Sequence, residues 1–424
     1  MQSIRLSIDE NQYSPASLDT ILTKSLPRNN TRCLTMKQSV CQFAFLAIVA
    51  LTACKKNNTE TQTTDTTTVQ FIFTSDAHYG ITRPAFRGSA NVSSNIVNAA
   101  MVAQMNTLPN LTLPSDSGLN AGKKIGSVDY ILEGGDIANR METSANVQTA
   151  AQSWDQFKND YLQNITLKNK NNGNTELLMV PGNHDVSNAI GYYATMSPLT
   201  DVTSMTNIYN LMIKPSTPKT TATFNYSTDH VNYSREIGGV HFCFIQMWPD
   251  SSVRLWLNND LLTVSSITPV IIVAHDQPAV VSNHFTNPNG TFSVNATDKF
   301  DNVVDEHFKD GKTTSATATI EQRAFAAFLK QHTNIKAYLH GHTHESKYYV
   351  WNGPDNDVAL NAVSADSPMK GIVSSIDETK LSFQFVVLDP VSKTLTVREC
   401  LWDTNPSVAS TPIKWGNMVN ISLK

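Results

Sequence analysis

Positive charge is not in surplus in this chain. Its 424 residues carry 32 Lys and Arg against 36 Asp and Glu, a net charge of −4. That leaves no basic footprint for nucleic acid. Cysteine is scarce as well. The five cysteines, at 33, 41, 54, 243 and 400, have no metal-type spacing, which excludes sulfur-rich zinc and iron–sulfur centres. No apolar run reaches the roughly 20 residues that a membrane-spanning helix needs. What is present is ordinary globular material: 40% hydrophobic and 16% charged residues, with an ample core. The length suits one large domain or two ordinary ones. Metal ligands, if any, are to be sought among His, Asp and Asn.

The first part of the chain does not look like that domain. Residues 1–35 are polar and without period, and Met36-Lys37 reads as a fresh start. A short basic head, an apolar run from Phe43 to Leu51 and the small residues of Leu51-Thr52-Ala53-Cys54 describe a secretory signal. The last four residues resemble the bacterial lipoprotein box, which implies lipid attachment at Cys54 as the mature N-terminus. The expected organisation is an upstream extension (1–35), a signal peptide (36–53), a polar tether rich in Thr and Asn (54–68) and a folded domain (69–424). This predicts an exported protein held by its lipid at the membrane of the cell envelope, on its periplasmic or surface face. An ordinary signal peptide with an incidental cysteine is the alternative. Cys243 and Cys400 then remain, either paired or each buried in a strand.

From residue 69 onward, strands alternate with helices. Val69 to Thr74 reads as a buried strand and runs into Asp76 and His78. Two residues apart on an extended backbone, these side chains point the same way, so an oxygen and a nitrogen ligand can share one cation. A helix is expected over 92–105. Val128 to Leu132 is the second strand, ending in Gly134-Gly135-Asp136, where glycine admits a close backbone approach. A second helix follows over 145–162, with Trp154, Phe157 and Tyr161 facing inward. Glu176 to Val180 is the third strand. Pro181 and Gly182 break it, so Asn183, His184 and Asp185 are expected on a loop at its carboxyl end. Asn183 offers a neutral oxygen to a cation. His184 titrates near neutral pH, and Asp185 can orient that imidazole.

Later strands repeat the arrangement: His275 follows residues 269–274, and His342 and His344 follow 335–339. Residues 347–351, 358–363, 381–388 and 393–399 read as antiparallel strands closing a second sheet. Polar insertions near 191–235 and 283–313 are expected over the active-site face. The βαβ order predicts an α/β fold with a parallel sheet, and ligands in such sheets bind beyond the carboxyl ends of the strands. Every polar motif falls there.

Asp76-x-His78, Gly135-Asp136, Gly182-Asn183-His184-Asp185, His275 and Gly341-His342-x-His344, in this order, resemble the calcineurin-like metallophosphoesterase superfamily over about residues 69–400. The resemblance implies a two-sheet β sandwich flanked by helices and two divalent metal ions. Asp76, His78 and His344 would hold one metal, Asn183, His275 and His342 the other, and Asp136 would bridge them. His184 would protonate the leaving oxygen, with Asp185 as its partner. Two cations about 3.5–4 Å apart can clamp the attacking and leaving oxygens of an in-line displacement. Mixed nitrogen and oxygen ligation suits Mn, Fe, Zn or Ni.

Departures from the family's branches narrow the substrate. Asp136 is followed by Ile137-Ala138-Asn139-Arg140 rather than the Arg-Gly of protein phosphatases, and Asn139 stands where purple acid phosphatases place a coloured metal-bound tyrosine. Too few residues follow His344 for the second domain of secreted 5′-nucleotidases. The expected activity is hydrolysis of phosphate esters. Phosphodiesters of nucleotides or lipid head groups are one alternative, and a non-catalytic metal-containing binding lipoprotein is another. Arg83, Arg140, Trp248 and His284 lie near motif loops and are candidate substrate contacts. His340 is read as a residue behind the ligands rather than one of them.

Overall fold

Val69–Thr74 (β1) is buried along its whole length, and both neighbours in its sheet are long-range partners. Tyr130–Glu133 (β4) lies parallel on one side and Ser382–Asp389 (β12) antiparallel on the other. The structure, a computed structural model, describes residues 67–139, 148–187, 202–225, 228–280 and 315–424, all within one unit, Glu60–Lys424. Cys54, the expected signal and the tether up to residue 66 therefore lie outside the described residues. Among the described residues no helix is long and apolar enough to cross a membrane.

Two six-stranded sheets carry the fold. The first is completed by Glu176–Met179 (β5), parallel to β4, and by Thr394–Leu401 (β13) and Lys414–Ser422 (β14), both antiparallel. The second contains Tyr233–Ile237 (β6), Val240–Phe244 (β7), Val270–Ala274 (β8), Ile335–His340 (β9), Lys347–Trp351 (β10) and Leu360–Ser364 (β11). Strands β7, β8, β9 and β11 run parallel, and β6 and β10 are the antiparallel edges. The parallel strands read as continuous apolar runs because helices cover one face and the other sheet covers the second. Side chains cross between the sheets: Phe71 meets Phe242 edge-on at 5.9 Å, Tyr348 Oη donates to Gln384 at 2.7 Å, and the Tyr233 hydroxyl donates to the Met179 carbonyl at 2.9 Å.

Helices complete the outer layers. On the first sheet lie Ser94–Met105 (α1) and Ala150–Phe157 (α2), the latter opened by a capping box of Thr149 and Gln152 and continued as a π-helical turn over Lys158–Gln163. As expected, Phe157 and Tyr161 are buried. On the second sheet lie Ser251–Leu261 (α5), capped by Asp250, and Ser315–Gln331 (α6), whose Phe325 packs on Trp248, Tyr338 and Trp351.

Three features differ from the sequence reading. A hairpin, Thr82–Phe86 (β2) and Ser89–Ser93 (β3), precedes α1. Within the expected insertion near 191–235 the chain forms Thr203–Ile213 (α4), which buries Met205, Ile208 and Met212. The C-terminal strands do not all close the second sheet. Only β10 and β11 do, while β12 pairs with β1 in the first sheet and β13 and the unforeseen β14 extend that sheet outward from β12. The insertion near 283–313 lies outside the described residues. Cys243 and Cys400 are both free and buried, on different sheets.

Candidate metal centre

Each predicted motif lies just beyond a strand's carboxyl end: Asp76 and His78 after β1, Asp136 after β4, Asn183 after β5, His275 after β8, His342 and His344 after β9. The loops are laced together by backbone bonds. Asp76 N–H donates to Gly135 C=O at 2.9 Å and His78 N–H to Asp136 C=O at 2.9 Å, while Gly341 N–H donates to His275 C=O at 3.0 Å. The extended backbone expected for the Asp-x-His pairs is not what forms. Asp76 (φ 59°), His78 (φ 45°), Asp136 (φ 58°), His342 (φ 63°) and His344 (φ 51°) all take the left-handed conformation. Asp and His tolerate that region better than most residues, and backbone strain of this kind persists only where surrounding structure enforces it, typically at functional sites. The expected loop at Asn183 is instead a short helix, Asn183–Ser187 (α3). It can start so close to β4 because Gly182 has no side chain: a Cβ there would lie 2.1 Å from Asp136 Oδ1.

Two groups of donors converge. Asp76, His78, Asp136 and His344 bring one ligand atom each within 4.8 Å of one another, and so do His275, Asp276 and His342. His78 Nε2 and His344 Nε2 face each other at 3.1 Å, and Asp76 Oδ1 lies 3.1 Å from the same His344 nitrogen. Asn183 Oδ1 is 3.1 Å from both His275 Nε2 and His342 Nδ1. Asp136 stands between the groups. Its Oδ2 is 3.8 Å from His78 Nε2 and 3.5 Å from His275 Nε2. Lone pairs outnumber protons around these points, which is the chemistry of a cation site, and Asp76 Oδ1 completes no hydrogen bond of its own. The residues present therefore fit divalent metal ions.

Electrostatics point the same way. Burial, with Lys370 nearby, holds His78 well below the ordinary imidazole range, so it offers a lone pair. Burial alone would raise Asp136 and lower His275. The pairing of the two, with His184 and Asp76 adding to it, overrides this: Asp136 is held well down and His275 well up. The carboxylates thus demand positive charge at this spot. His275 Nδ1 donates to Gly134 C=O at 2.7 Å, which fixes the tautomer that leaves Nε2 to face the centre.

His184 stands beside the ligand groups rather than within them. Its Nδ1 is 3.2 Å from the Asn139 carbonyl. A carbonyl only accepts, so Nδ1 carries the proton and Nε2 faces the centre, 3.9 Å from Asp136 Oδ2. Asp185 does not take the expected part as orienting partner. Its buried carboxylate accepts N–H bonds from Gly182 at 3.0 Å, Ile137 at 3.1 Å and Ala138 at 3.3 Å, tying α3 to the loop after β4. Burial and the neighbouring Asp136 push its pKa up to about 7.

Other candidates fall away. Arg83 is buried, and its guanidinium donates to the carbonyls of Ala85, Pro368 and Ser374; it clamps a loop and does not face a substrate. Trp248 is 1% exposed against Phe325 and does not overhang the site. Arg140 and His284 lie outside the described residues. His340 is buried behind the ligands. Its Nδ1 donates to Gly341 C=O at 2.8 Å, its Nε2 accepts from the Tyr349 hydroxyl at 2.8 Å, and burial lowers its pKa to about 4.

The sequence reading missed two residues of the site. Asp276 adjoins His275, and its Oδ1 is 3.8 Å from His342 Nδ1; its place next to a ligand histidine was the available signal. Lys370 sits on the loop clamped by Arg83, which is tied to the centre by Ser367 Oγ donating to Asp76 C=O at 2.8 Å and Ile372 N–H donating to His344 C=O at 2.9 Å. Nothing in the sequence places that loop here.

An α/β sandwich with donors converging at the strand ends defines a metal-dependent phosphoesterase. The family model of calcineurin-like phosphoesterases matches residues 69–346, and the chain belongs to that family. Among solved structures, a dimetal phosphatase from Danio rerio matches at 10% identity and a TM-score of 0.45, over 85% of this chain and 100% of its own. A phosphopantetheinyl hydrolase from Mycobacterium tuberculosis matches at 12% identity and a TM-score of 0.29, over 72% and 92%. A vacuolar protein sorting 29 from Cryptosporidium parvum matches at 9% identity and a TM-score of 0.30, over 84% and 98%. No curated protein matches the chain.

Proposed function

We propose that the protein is an exported, lipid-anchored hydrolase of phosphate esters that works with two divalent cations. The observation that carries the reading is one carboxylate oxygen, Asp136 Oδ2, within 4 Å of a histidine nitrogen in each donor group. Asp76, His78 and His344 would hold one cation, Asn183, His275 and His342 the other, with Asp136 shared. Bound there, two metals supply Lewis acidity and an activated water. The chain's own groups do the rest. His184, its Nδ1 proton held by the Asn139 carbonyl, would carry a second proton on Nε2 as the imidazolium and give that proton to the leaving oxygen, returning to the neutral ring. Lys370 provides a positive charge near His78 for the phosphoryl oxygens. The signal and lipid box at residues 36–54 support attachment through Cys54 to the envelope membrane.

The test is metal content of the purified protein, followed by turnover of p-nitrophenyl phosphate and bis(p-nitrophenyl) phosphate after loading with Mn. Two equivalents of metal and faster turnover of the monoester are expected. Faster turnover of the diester would move the substrate class to nucleotide or lipid head-group diesters. Two equivalents with neither activity would favour the binding-protein reading. Mass spectrometry of the membrane-extracted protein should find an acylated N-terminus at Cys54; an unmodified chain beginning elsewhere would overturn the anchor. Lys370→Met should raise KM for the phosphate ester about fivefold or more and flatten its salt dependence, with kcat little changed. An unaltered KM would remove Lys370 from the site.

A further inference from the structure

A third group of ligand-type side chains lies on the edge of the second sheet, outside the metal centre. One donor atom each of His241, Cys243 and Asp260 comes within 4.8 Å of the others. The register of the β6–β7 ribbon explains why. Ser234 pairs with Cys243, and Glu236 pairs with His241, so all four side chains project from one face. The opposite face carries Phe242, packed against the first sheet. Asp260 comes down onto the polar face from α5. Cys243 is fully buried, while the Asp260 side chain is 19% exposed, which leaves a route in from solvent.

We propose that this cluster is a mononuclear site for a borderline-soft divalent cation of the zinc class, with His241 Nε2, Cys243 Sγ and an Asp260 carboxylate oxygen as its ligands. The surrounding hydrogen bonds already suit that use. Glu236 accepts from His241 Nδ1, which sets the tautomer that turns Nε2 toward Asp260, 2.6 Å away. A carboxylate behind a ligating imidazole is the usual outer arrangement of a metal histidine. Ser234 Oγ donates to Asp260 Oδ1 at 2.8 Å and orients that carboxylate. Cys243 Sγ lies 3.7 Å from Asp260 Oδ2. One sulfur, one nitrogen and one oxygen favour zinc over Mg, Ca or Mn, and a fourth position remains for water. Binding displaces the protons held between these groups, so it releases protons to solvent. The site does not depend on the phosphoesterase centre, which has no sulfur ligand. Sequence spacing did not reveal it, because its donors come from one strand and a helix on either side of a turn, in none of the usual cysteine patterns.

Cobalt titration of the full-length protein tests the proposal, since thiolate-to-Co(II) charge transfer absorbs in the near ultraviolet and nitrogen and oxygen ligands do not produce it. A saturating band at one equivalent of bound thiolate-ligated cobalt is expected, bleached by added zinc. Cys243→Ser should abolish it with the far-ultraviolet circular dichroism intact, and Cys400→Ser should leave it in place. Should Cys243→Ser fail to fold, Asp260→Asn, at a partly exposed position, is expected to weaken cobalt binding at this band at least about tenfold. Absence of the band at cobalt saturation, its survival in Cys243→Ser, or unchanged affinity in Asp260→Asn would each overturn the site and leave His241 as an ion-paired structural histidine.

Discussion

Asp136→Ala is expected to bring the metal content of the purified protein from two equivalents to near none and to lower kcat by about three orders of magnitude or more. Among the described residues no other side chain of the centre stands between both donor groups as Asp136 does, with one oxygen 3.8 Å from His78 and 3.5 Å from His275. Without its charge, each half keeps too little negative potential to hold a divalent cation against water. The substitution also removes an acceptor, because His184 N–H donates to Asp136 Oδ1 at 2.8 Å. Asp136→Asn keeps an acceptor there while losing the charge, so it separates the two effects. It should fold normally, as judged by its unfolding transition, and still bind metal weakly. Elemental analysis together with activity decides. Two metals retained in the alanine variant would refute the shared ligand.

His184→Ala is expected to give the opposite pattern, with both metals retained, KM nearly unchanged and kcat lowered by about two to four orders of magnitude. The loss should grow as the leaving group becomes more basic. An aryl phosphate with an activated phenol needs little help from an acid, whereas an alkyl phosphate expels an alkoxide that must be protonated. A plot of log kcat against leaving-group pKa should therefore be steeper for the variant. Because His184 is held through Nδ1 by the Asn139 carbonyl at 3.2 Å, Asp185→Asn should act differently. It should reduce stability through its three backbone donors while leaving the leaving-group slope of the wild type. Equal losses across leaving groups in His184→Ala, or loss of metal, would remove the proton-donor role.

The site was more legible in the sequence than the fold around it. Metal-ligand chemistry needs particular residue types, and an α/β sheet delivers them at strand ends, so Asp76, His78, Asp136, Asn183, His275, His342 and His344 could be picked out as candidates by type and place, while the full ligand set and its division between two metals were implied by the resemblance to the metallophosphoesterase motifs. The left-handed backbone of Asp76, His78, Asp136, His342 and His344 could not be read in this way, because it is imposed by loops laced to one another across the sheets. The role of Asp185 was misread for a related reason: adjacency in sequence to His184 suggested a partnership, but helix α3 turns its carboxylate back onto backbone N–H groups. Arg83 and Trp248 show the limit for residues near motifs. A polar or amphipathic side chain on a loop reads as surface, and only the tertiary packing buries it. Strands β12 and β13 carry the same apolar signal whichever sheet receives them, so local pattern could not assign them. Strand β14 was missed because, as a largely exposed edge strand, it has little apolar signal.

The pairing of β1 with β12, Val69 opposite Leu388, also bears on how the protein comes to be made. The first strand of the domain gains one partner early, in β4, but its other edge stays uncovered until nearly the whole polypeptide has been synthesised. Closing so distant a contact is slow. A ribosome-bound chain would thus remain loosely assembled until its final segment emerged, and such a chain is easily lost to aggregation. Truncation after residue 346, where the family match ends, would leave that edge permanently bare. The segment with every proposed ligand should then accumulate as insoluble material, and the remaining residues would act as the closing clasp of its biogenesis.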